Sequence, residues 1–297
     1  MLLVCLADRS GKFSGMTGSV RTLLQLAVAL SISSSCSRPG DTVIPVDAGI
    51  ERVVVAGSTA LLPLVTEAAN RFMHQHKNIA VLVEAGGSRA GLDRLIKGSA
   101  TIAASDIFAP DNTVPALEDH PIAVAGFAAM ANRGKYNAHV ESLTFEQLKG
   151  IFSGKVKDWA EVGGLRQSIV LVNRGKNSGT RAAFGRIVLG GDEFGPGLEM
   201  DSSALVLTTL EQTRGAISYV ALSYARDTLK VFAVGGILAT NENVANGTYP
   251  IWSYEHLYTR GPATGAAKAF IDFIQTPQVQ TELVPKNGLT SINVKRE

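Results

Sequence analysis

From Glu51 onward, the sequence alternates between short β-branched runs and stretches whose apolar residues recur at helical spacing. Residues 52–55 are typical of a buried strand, and residues 61–73 place their apolar side chains on one face, as an amphipathic helix does. Pro63 fits such a helix only in its first turn. A β-α-β-α-β order of this kind indicates a mostly parallel sheet with helices on both faces.

The same alternation continues along most of the chain. An apolar run at residues 121–131 favours a strand that leaves the first group of elements. Thr144 and Gln147 are spaced as a capping box and predict the start of a helix. Thr276 as N-cap with Pro277 at N1 predicts another helix. The other strands are expected at residues 79–83, 101–104, 169–172, 216–220 and 229–234, and the other helices at 92–96, 181–189 and 264–274.

Composition excludes several classes of protein. With 297 residues, the chain is long enough for one large domain or for two lobes that each have a core. Hydrophobic residues make up 45% and charged residues 18%, which favours a folded protein over a disordered tail. The formal net charge of +2 is too small to indicate a nucleic acid or a charged membrane surface as partner. No basic run with interleaved aromatic residues is present, which argues further against nucleic acid.

The N-terminal region resembles an export signal. Arg21 supplies a positive charge, and the apolar run at residues 23–32 has the length of a signal-peptide core. This run is too short to span a bilayer. We therefore expect a signal peptide over residues 1–36, with Met16 as a second candidate start, and a flexible tether over residues 37–50.

Cys36 follows three serines at the end of the apolar run, a placement that resembles a bacterial lipoprotein cleavage site. Such sites usually have leucine three places before the cysteine, where this chain has Ser33. Lipidation of Cys36 and ordinary signal cleavage nearby both remain open. The second cysteine, Cys5, also lies in the N-terminal stretch. The rest of the chain therefore has no disulfide framework, no cysteine-based metal site and no thiol nucleophile.

Three short loops share one composition. Each follows an expected strand, combines glycine with serine or threonine, and leads into an expected helix; they are Gly57-Ser58-Thr59, Gly86-Gly87-Ser88 and Ser178-Gly179-Thr180. Helix N-termini have unpaired N–H donors and a partial positive charge, and hydroxyls add neutral donors. One loop alone is most simply a helix cap or a tight turn. Three together at the carboxyl ends of strands indicate a site for an oxyanion.

Arg174 precedes the third loop. A guanidinium can hold two oxygens of an oxyanion in a bidentate fork, so we expect Arg174 to bind the same ligand. The alternative is an ordinary surface arginine. The neighbouring Lys176 and Arg181 are expected to be solvated.

Asp106 is a carboxylate among groups that otherwise suit an anion. An ionised aspartate can only accept a hydrogen bond, so its presence makes sense if the bound anion carries a proton. Hydrogen phosphate can donate that bond, whereas fully ionised sulfate cannot and would be rejected. The alternative is a structural role, in which Asp106 caps the turn before Pro110.

These residues resemble the phosphate-binding protein of bacterial phosphate ABC importers. The likeness runs from about Glu51 to Leu289, and Arg174 with the Ser-Gly-Thr loop, together with the Phe-Ser-Gly-Lys stretch at residues 152–155, is fairly specific to the family. The resemblance implies an α/β, two-lobe periplasmic-binding-protein fold that is type II-like, with a mostly parallel sheet in each lobe and a hinge between them. The matching segments are residues 56–63, 86–91, 104–106, 143–164, 174–181 and 247–251. Lobe 1 would comprise residues 51–131 plus 250–297, and lobe 2 residues 132–249.

The resemblance also implies roles for individual residues. Lobe 1 would supply Ser58, Thr59, Ala60, Ser88 and Asp106, and lobe 2 would supply Arg174, Ser178, Gly179 and Thr180. The implied activity is capture of inorganic phosphate outside the cytoplasmic membrane and its delivery to the membrane permease subunits of an ABC importer. No catalysis, cofactor or metal is expected, and the protein is expected to be a monomer in the periplasm, with Cys36 as a possible lipid anchor.

Three rival hypotheses remain. The site could bind another oxyanion such as sulfate, molybdate or tungstate, or the protein could be a phosphate sensor. A phosphate-ester hydrolase is less well supported, because Gly86-Gly87-Ser88-Arg89-Ala90 lacks the last glycine of a nucleophile elbow. A P-loop is excluded, because Asn177 follows Gly175-Lys176 where serine or threonine is required.

Overall fold

The structure, a computed structural model, describes residues 49–293. The predicted signal peptide at 1–36, with Met16 and Cys36, and residues 37–48 of the predicted tether lie outside this range. None of the helices within residues 49–293 combines the length and the apolar character that crossing a bilayer requires.

The elements alternate as the sequence predicts. The strands are β1 (Glu51–Gly57), β2 (Ile79–Ala85), β3 (Ile102–Ser105), β4 (Leu117–Asn132), β5 (Ser142–Leu143), β6 (Val170–Arg174), β7 (Leu198–Met200), β8 (Ala216–Ala221), β9 (Leu229–Val231), β10 (Ala233–Val234), β11 (Trp252–Arg260) and β12 (Thr290–Ser291). The helices are α1 (Leu62–Gln75), α2 (Ser88–Ile96), α3 (Phe145–Phe152), α4 (Gly179–Phe184), α5 (Ser203–Gln212), α6 (Asn241–Ala245), α7 (Gly265–Gln275) and α8 (Val284–Lys286).

The main sheet is mixed, with the strand order β2-β1-β3-β11-β4-β8-β6-β7. Its outer pairs, β1 with β2 and β3 and β6 with β7 and β8, are parallel as predicted. Every antiparallel pair in it involves β4 or β11. We call β1, β2, β3 and β11 the first strand group, and β6, β7 and β8 the second strand group.

β4 joins the two strand groups. Residues up to Gly126 pair with β11, and residues from Phe127 onward pair with β8. The chain crosses back beside this point, where Phe127 N donates to Ile251 O at 2.8 Å and the Tyr249 hydroxyl donates to Phe127 O at 2.9 Å. The two strand groups are therefore connected at one level of the sheet by two neighbouring segments.

Local sequence signals explain where several helices begin. α1 buries Leu64, Val65, Ala68, Ala69 and Phe72, the face that the spacing predicts, with the proline in its first turn. Thr144 Oγ1 accepts from Gln147 N at 3.1 Å while Gln147 Oε1 accepts from Thr144 N at 2.9 Å, so the predicted capping box is confirmed.

Other elements differ from the prediction. The helix expected at residues 181–189 is α4 followed by a π-helical turn, Gly185–Leu189. The single strand expected at 229–234 is divided into β9, which pairs with β4, and β10, which pairs with β5. α5 and β11 have no counterpart among the expected elements, and both contribute to the site described below.

Candidate functional site

The three loops predicted to form one site lie at strand ends. Ser58 and Thr59 follow β1, and Ser88 opens α2 just after β2. Because β1, β2 and β3 are parallel, their carboxyl ends meet at the same edge of the sheet. Ser178 is the N-cap of α4, with its hydroxyl accepting from Arg181 N at 3.1 Å. All of these side chains are buried.

Two glycines allow the loops of the two strand groups to touch. A Cβ on Gly179 would lie 2.1 Å from Ser88 Oγ and 3.0 Å from Asp106 Cβ. A Cβ on Gly87, whose φ is +88°, would lie 2.6 Å from Asn177 O. Neither position has room for a larger residue, so the close approach of α2 and α4 depends on glycine.

Asp106 follows β3 and is 1% exposed. Thr180 Oγ1 donates to its Oδ2 at 2.7 Å, and its own backbone N–H donates to Ser88 Oγ at 3.0 Å. Ser253 Oγ on β11 donates to its backbone carbonyl at 2.9 Å. Within residues 49–293, its second carboxylate oxygen, Oδ1, has no hydrogen-bond partner. This oxygen is a buried acceptor that can receive a further donor.

Arg174 is the last residue of β6 and is 2% exposed. Its Nη2 donates to Thr59 Oγ1 at 3.0 Å and its Nη1 donates to Ser203 Oγ at 3.1 Å. Its Nε also donates to Met200 O at 3.2 Å. Burial lowers the pKa of the guanidinium, and Asp106 is the first of the charges that oppose this shift. Arginine nevertheless remains protonated in proteins, so the site has a fixed positive charge.

The structure brings the predicted residues together. Direct contacts join Thr59 to Arg174, Asp106 to Thr180, and Ser88 to Asp106. The predicted residues, all of them buried, are Ser58, Thr59, Ala60, Ser88, Asp106, Arg174, Ser178, Gly179 and Thr180.

Ser58 and Ser178 also have the capping roles that a single loop suggests. Ser58 Oγ accepts from Ala60 N at 3.0 Å and from Leu61 N at 3.2 Å, at the entry to α1. Ser178 Oγ caps α4 by accepting from Arg181 N. The capping and ligand-binding interpretations are compatible, since a hydroxyl that accepts from the backbone still has its own proton to donate.

Sequence reasoning missed three residues of this site. Ser203 Oγ accepts from Arg174, and Ser203 N donates to Thr59 Oγ1 at 3.3 Å. Tyr224 donates its hydroxyl proton to Thr59 O at 2.8 Å. Glu255 on β11 is fully buried, and burial, followed by the charge of Asp106, raises its pKa well above the ordinary value. The two serines at 202 and 203 were a readable N-cap signal for α5, whereas nothing local marks Tyr224 or Glu255.

The arrangement has one guanidinium, the two carboxyl groups of Asp106 and Glu255, and several hydroxyls, all of them on buried residues. Such a set can donate hydrogen bonds to the oxygens of an anion and accept one from a proton that the anion carries. Within residues 49–293, no three side chains of His, Cys, Asp or Glu are grouped so that they could hold a metal ion.

Comparison with known proteins gives a consistent result. A family model described as a PBP superfamily domain matches residues 42–278. The chain is 37% identical over 289 residues to the phosphate-binding protein PstS of Bacillus subtilis, which covers 93% of this chain and 95% of that relative. It is 25% identical over 229 residues to the phosphate-binding protein PstS of Pseudomonas aeruginosa strain PAO1, covering 68% of this chain and 70% of the relative.

Solved structures similar to this chain also include proteins of phosphate transport. A phosphate ABC transporter substrate-binding protein from Clostridium perfringens with bound phosphate is 30% identical, with a TM-score of 0.77, and the match covers 82% of this chain and 100% of the other. An ABC-type phosphate transport receptor from Vibrio cholerae is 26% identical, with a TM-score of 0.67, covering 81% and 100% respectively.

Proposed function

The chain belongs to the PBP superfamily and, within it, to the family of PstS phosphate-binding proteins, and from this premise we propose that it captures inorganic phosphate outside the cytoplasmic membrane and delivers it to an ABC importer. The predicted fold class, an α/β two-lobe periplasmic-binding-protein fold, is confirmed by this membership and by the solved relatives. The relatives are substrate-binding proteins. We propose that this chain likewise binds without catalysing a reaction.

One observation carries the proposal: a buried guanidinium and a buried carboxylate with a free acceptor oxygen share one site. Arg174 suits the phosphate oxygens, because its buried guanidinium supplies a fixed positive charge and charge-assisted hydrogen bonds. Asp106 Oδ1, which lacks a partner within residues 49–293, suits the proton of hydrogen phosphate. Sulfate carries no such proton at neutral pH, and its oxygens would face an acceptor.

We further propose that the two lobes are residues 51–131 plus 250–297 and residues 132–249. The change of partners along β4, from β11 to β8, supports a division near this point. Lobe 1 would bind phosphate through Ser58, Thr59, Ala60, Ser88 and Asp106, and lobe 2 through Arg174, Ser178, Gly179 and Thr180. Closure of the lobes would bury the ion.

We also propose where the protein acts and with which partners. The protein would act as a monomer in the periplasm, with or without a lipid anchor at Cys36, and would deliver phosphate to membrane permease subunits. No cofactor or metal is required for this role. A sensor of phosphate would share the same site, and a binding protein for sulfate, molybdate or tungstate would not need Asp106.

Calorimetry on the chain from Asp41 onward tests the proposal directly. We expect saturable binding of one phosphate per chain and no measurable heat with sulfate. Incubation with phosphate esters is expected to give no turnover. Equal affinity for phosphate and sulfate would contradict the assignment, and hydrolysis that is lost in Ser88→Ala would favour the enzyme hypothesis.

A further inference from the structure

Glu255 lies directly beside Asp106. On β11, His256 pairs with Ser105, the last residue of β3; Glu255 precedes His256 and Asp106 follows Ser105, and the charge of Asp106 acts on Glu255. The contact of Ser253 Oγ with Asp106 O holds β11 against this position. Glu255 is 0% exposed, so its carboxyl group has no access to solvent.

Both carboxyl groups have buried oxygens without a hydrogen-bond partner, and a shared proton could link them. Neither oxygen of Glu255 has a hydrogen-bond partner within residues 49–293, and the same holds for Asp106 Oδ1. On the other side of β11, β4 faces Glu255 with Ala123, which carries no charge. Burial and the neighbouring Asp106 raise the pKa of Glu255. Two adjacent buried carboxylates repel each other, and one proton placed between them removes the repulsion and pairs Asp106 Oδ1 with one oxygen of Glu255.

We propose that Glu255 is a positioning residue for Asp106: it retains its proton at neutral pH and donates it to Asp106 Oδ1. The bond fixes the orientation of the Asp106 carboxylate. Oδ2 accepts from Thr180, and the second lone pair of Oδ1 stays available for the proton of the bound anion. This inference rests on the proposed function, and it assigns the selection of a protonated oxyanion to a pair of carboxyl groups instead of one.

The first test needs no ligand. Infrared spectroscopy of the ligand-free protein at neutral pH is expected to show the carbonyl stretch of a protonated carboxylic acid. Glu255→Gln should lose this band, and Glu242→Gln, which changes an exposed glutamate on α6, should keep it. A spectrum without the band, or a band that survives in Glu255→Gln, would overturn the proposal whether or not the protein binds phosphate.

The second test compares two variants by calorimetry with phosphate and sulfate over a range of pH. Glu255→Gln can still donate to Asp106 and should keep the wild-type preference for phosphate. Glu255→Leu has a similar volume and no donor, so Asp106 loses the hydrogen bond that orients it toward the anion. We expect its preference for phosphate over sulfate to fall about tenfold at each pH tested.

The outcomes of this second test are distinguishable. A Glu255→Leu variant with the wild-type preference for phosphate would overturn the positioning role. If Glu255→Leu does not fold, loss of the phosphate preference in Glu255→Gln would overturn it equally. Failure of wild-type protein to bind phosphate would contradict the proposed function alone, since the infrared result stands independently.

Discussion

Arg174 Nη2 donates a hydrogen bond to Thr59 Oγ1 at 3.0 Å, joining residues that are 115 positions apart. Arg174 ends a strand of the second group, and Thr59 follows a strand of the first. The same guanidinium is held from behind by Met200 O and Asp201 O. Its orientation is therefore set mainly by the second strand group, and its bond to Thr59 ties that group to the first.

Replacing Arg174 by alanine should abolish tight phosphate binding. The change removes at least two charge-assisted hydrogen bonds at about 1.5–3 kcal/mol each, so we expect affinity to fall by about 100-fold or more. Arg174→Lys keeps the charge and loses the fork, and should recover only part of this loss. Arg52→Ala, at an exposed position on β1, is the matched control and should bind as wild type in calorimetry. Near wild-type affinity in Arg174→Ala would show that the ligand lies elsewhere.

Asp106→Asn should weaken discrimination against sulfate. The amide is close in shape to the carboxylate but carries two N–H donors, which the fully charged sulfate oxygens can accept. We expect the ratio of phosphate to sulfate affinity to drop by at least about tenfold, because a site that loses its unpaired acceptor loses its penalty against sulfate. The measurement is competition calorimetry at neutral pH. An unchanged ratio would assign Asp106 to turn structure only.

Gly179→Ala should reduce affinity through sterics. The added Cβ would lie 2.1 Å from Ser88 Oγ, so α2 and α4 cannot keep their present approach. Gly86→Ala is a close control in a neighbouring loop, because its Cβ would meet only Ala90 Cβ, at 3.6 Å. We expect calorimetry to give a loss of about tenfold or more for Gly179→Ala and little change for Gly86→Ala. Equal behaviour of the two variants would contradict the importance of this contact.

Neighbouring serines at the start of α5 should separate affinity from stability. Ser203 Oγ accepts from Arg174, whereas Ser202 Oγ caps α5 by accepting from Leu205 N at 3.2 Å. Ser203→Ala is expected to lower phosphate affinity about tenfold, the effect of one bond to a charged group. Ser202→Ala is expected to lower the free energy of unfolding by about 1 kcal/mol with affinity unchanged. If thermal unfolding shows that Ser203→Ala lowers stability, and calorimetry shows that its affinity is unchanged, Ser203 has a structural role only.

The sequence predicted much of this site because parallel strands gather their carboxyl ends. Each loop at 57–59, 86–88 and 178–180 carried a local signal. The topology gathers the first two loops at the carboxyl ends of β1 and β2, whereas the third loop follows β6, which runs in the opposite direction in the second strand group. Glu255 carried none. It lies in a stretch where polar residues alternate with Trp252 and Tyr254, a pattern that favours a strand with one exposed polar face. In the structure, β11 lies inside the sheet between β3 and β4, and most of its residues are buried because both of its faces are covered. Such long-range pairing leaves no trace in local periodicity.

The residues that hold the loops in place likewise carry no local sequence signal. Tyr224 reaches Thr59 O from a 3₁₀ turn, Leu222–Tyr224, which follows the second-group strand β8. Ser223 Oγ in that turn also donates to Ala60 O at 3.2 Å. These contacts depend on how the two groups meet, which the sequence pattern does not specify. The predicted lobe boundaries remain predictions for the same reason.

Glu255 should also give the protein a pH-dependent stability of identifiable sign. Its pKa in the folded state is raised above that in the unfolded chain, about 4.3 for a model glutamate, so the folded state binds the additional proton. The stability linked to this proton is fully present below the unfolded pKa and is lost as pH rises toward the folded one. Glu255→Gln carries no such titration. The free energy of unfolding of this variant, measured in denaturant, should therefore increase relative to that of the wild type as pH rises, by up to about 1.4 kcal/mol per pH unit.

Glu67 provides the control of opposite sign. Hydrogen bonds from Lys286 first, then from Asn287 and Arg71, lower its pKa to about 2. Its contribution is therefore present above the unfolded pKa and is lost as pH falls toward about 2. Glu67→Gln should be less stable than wild type at neutral pH, and the difference should shrink on acidification. Parallel pH trends for the two glutamine variants would contradict the buried, protonated state of Glu255, because an ionised Glu255 would follow the trend of Glu67.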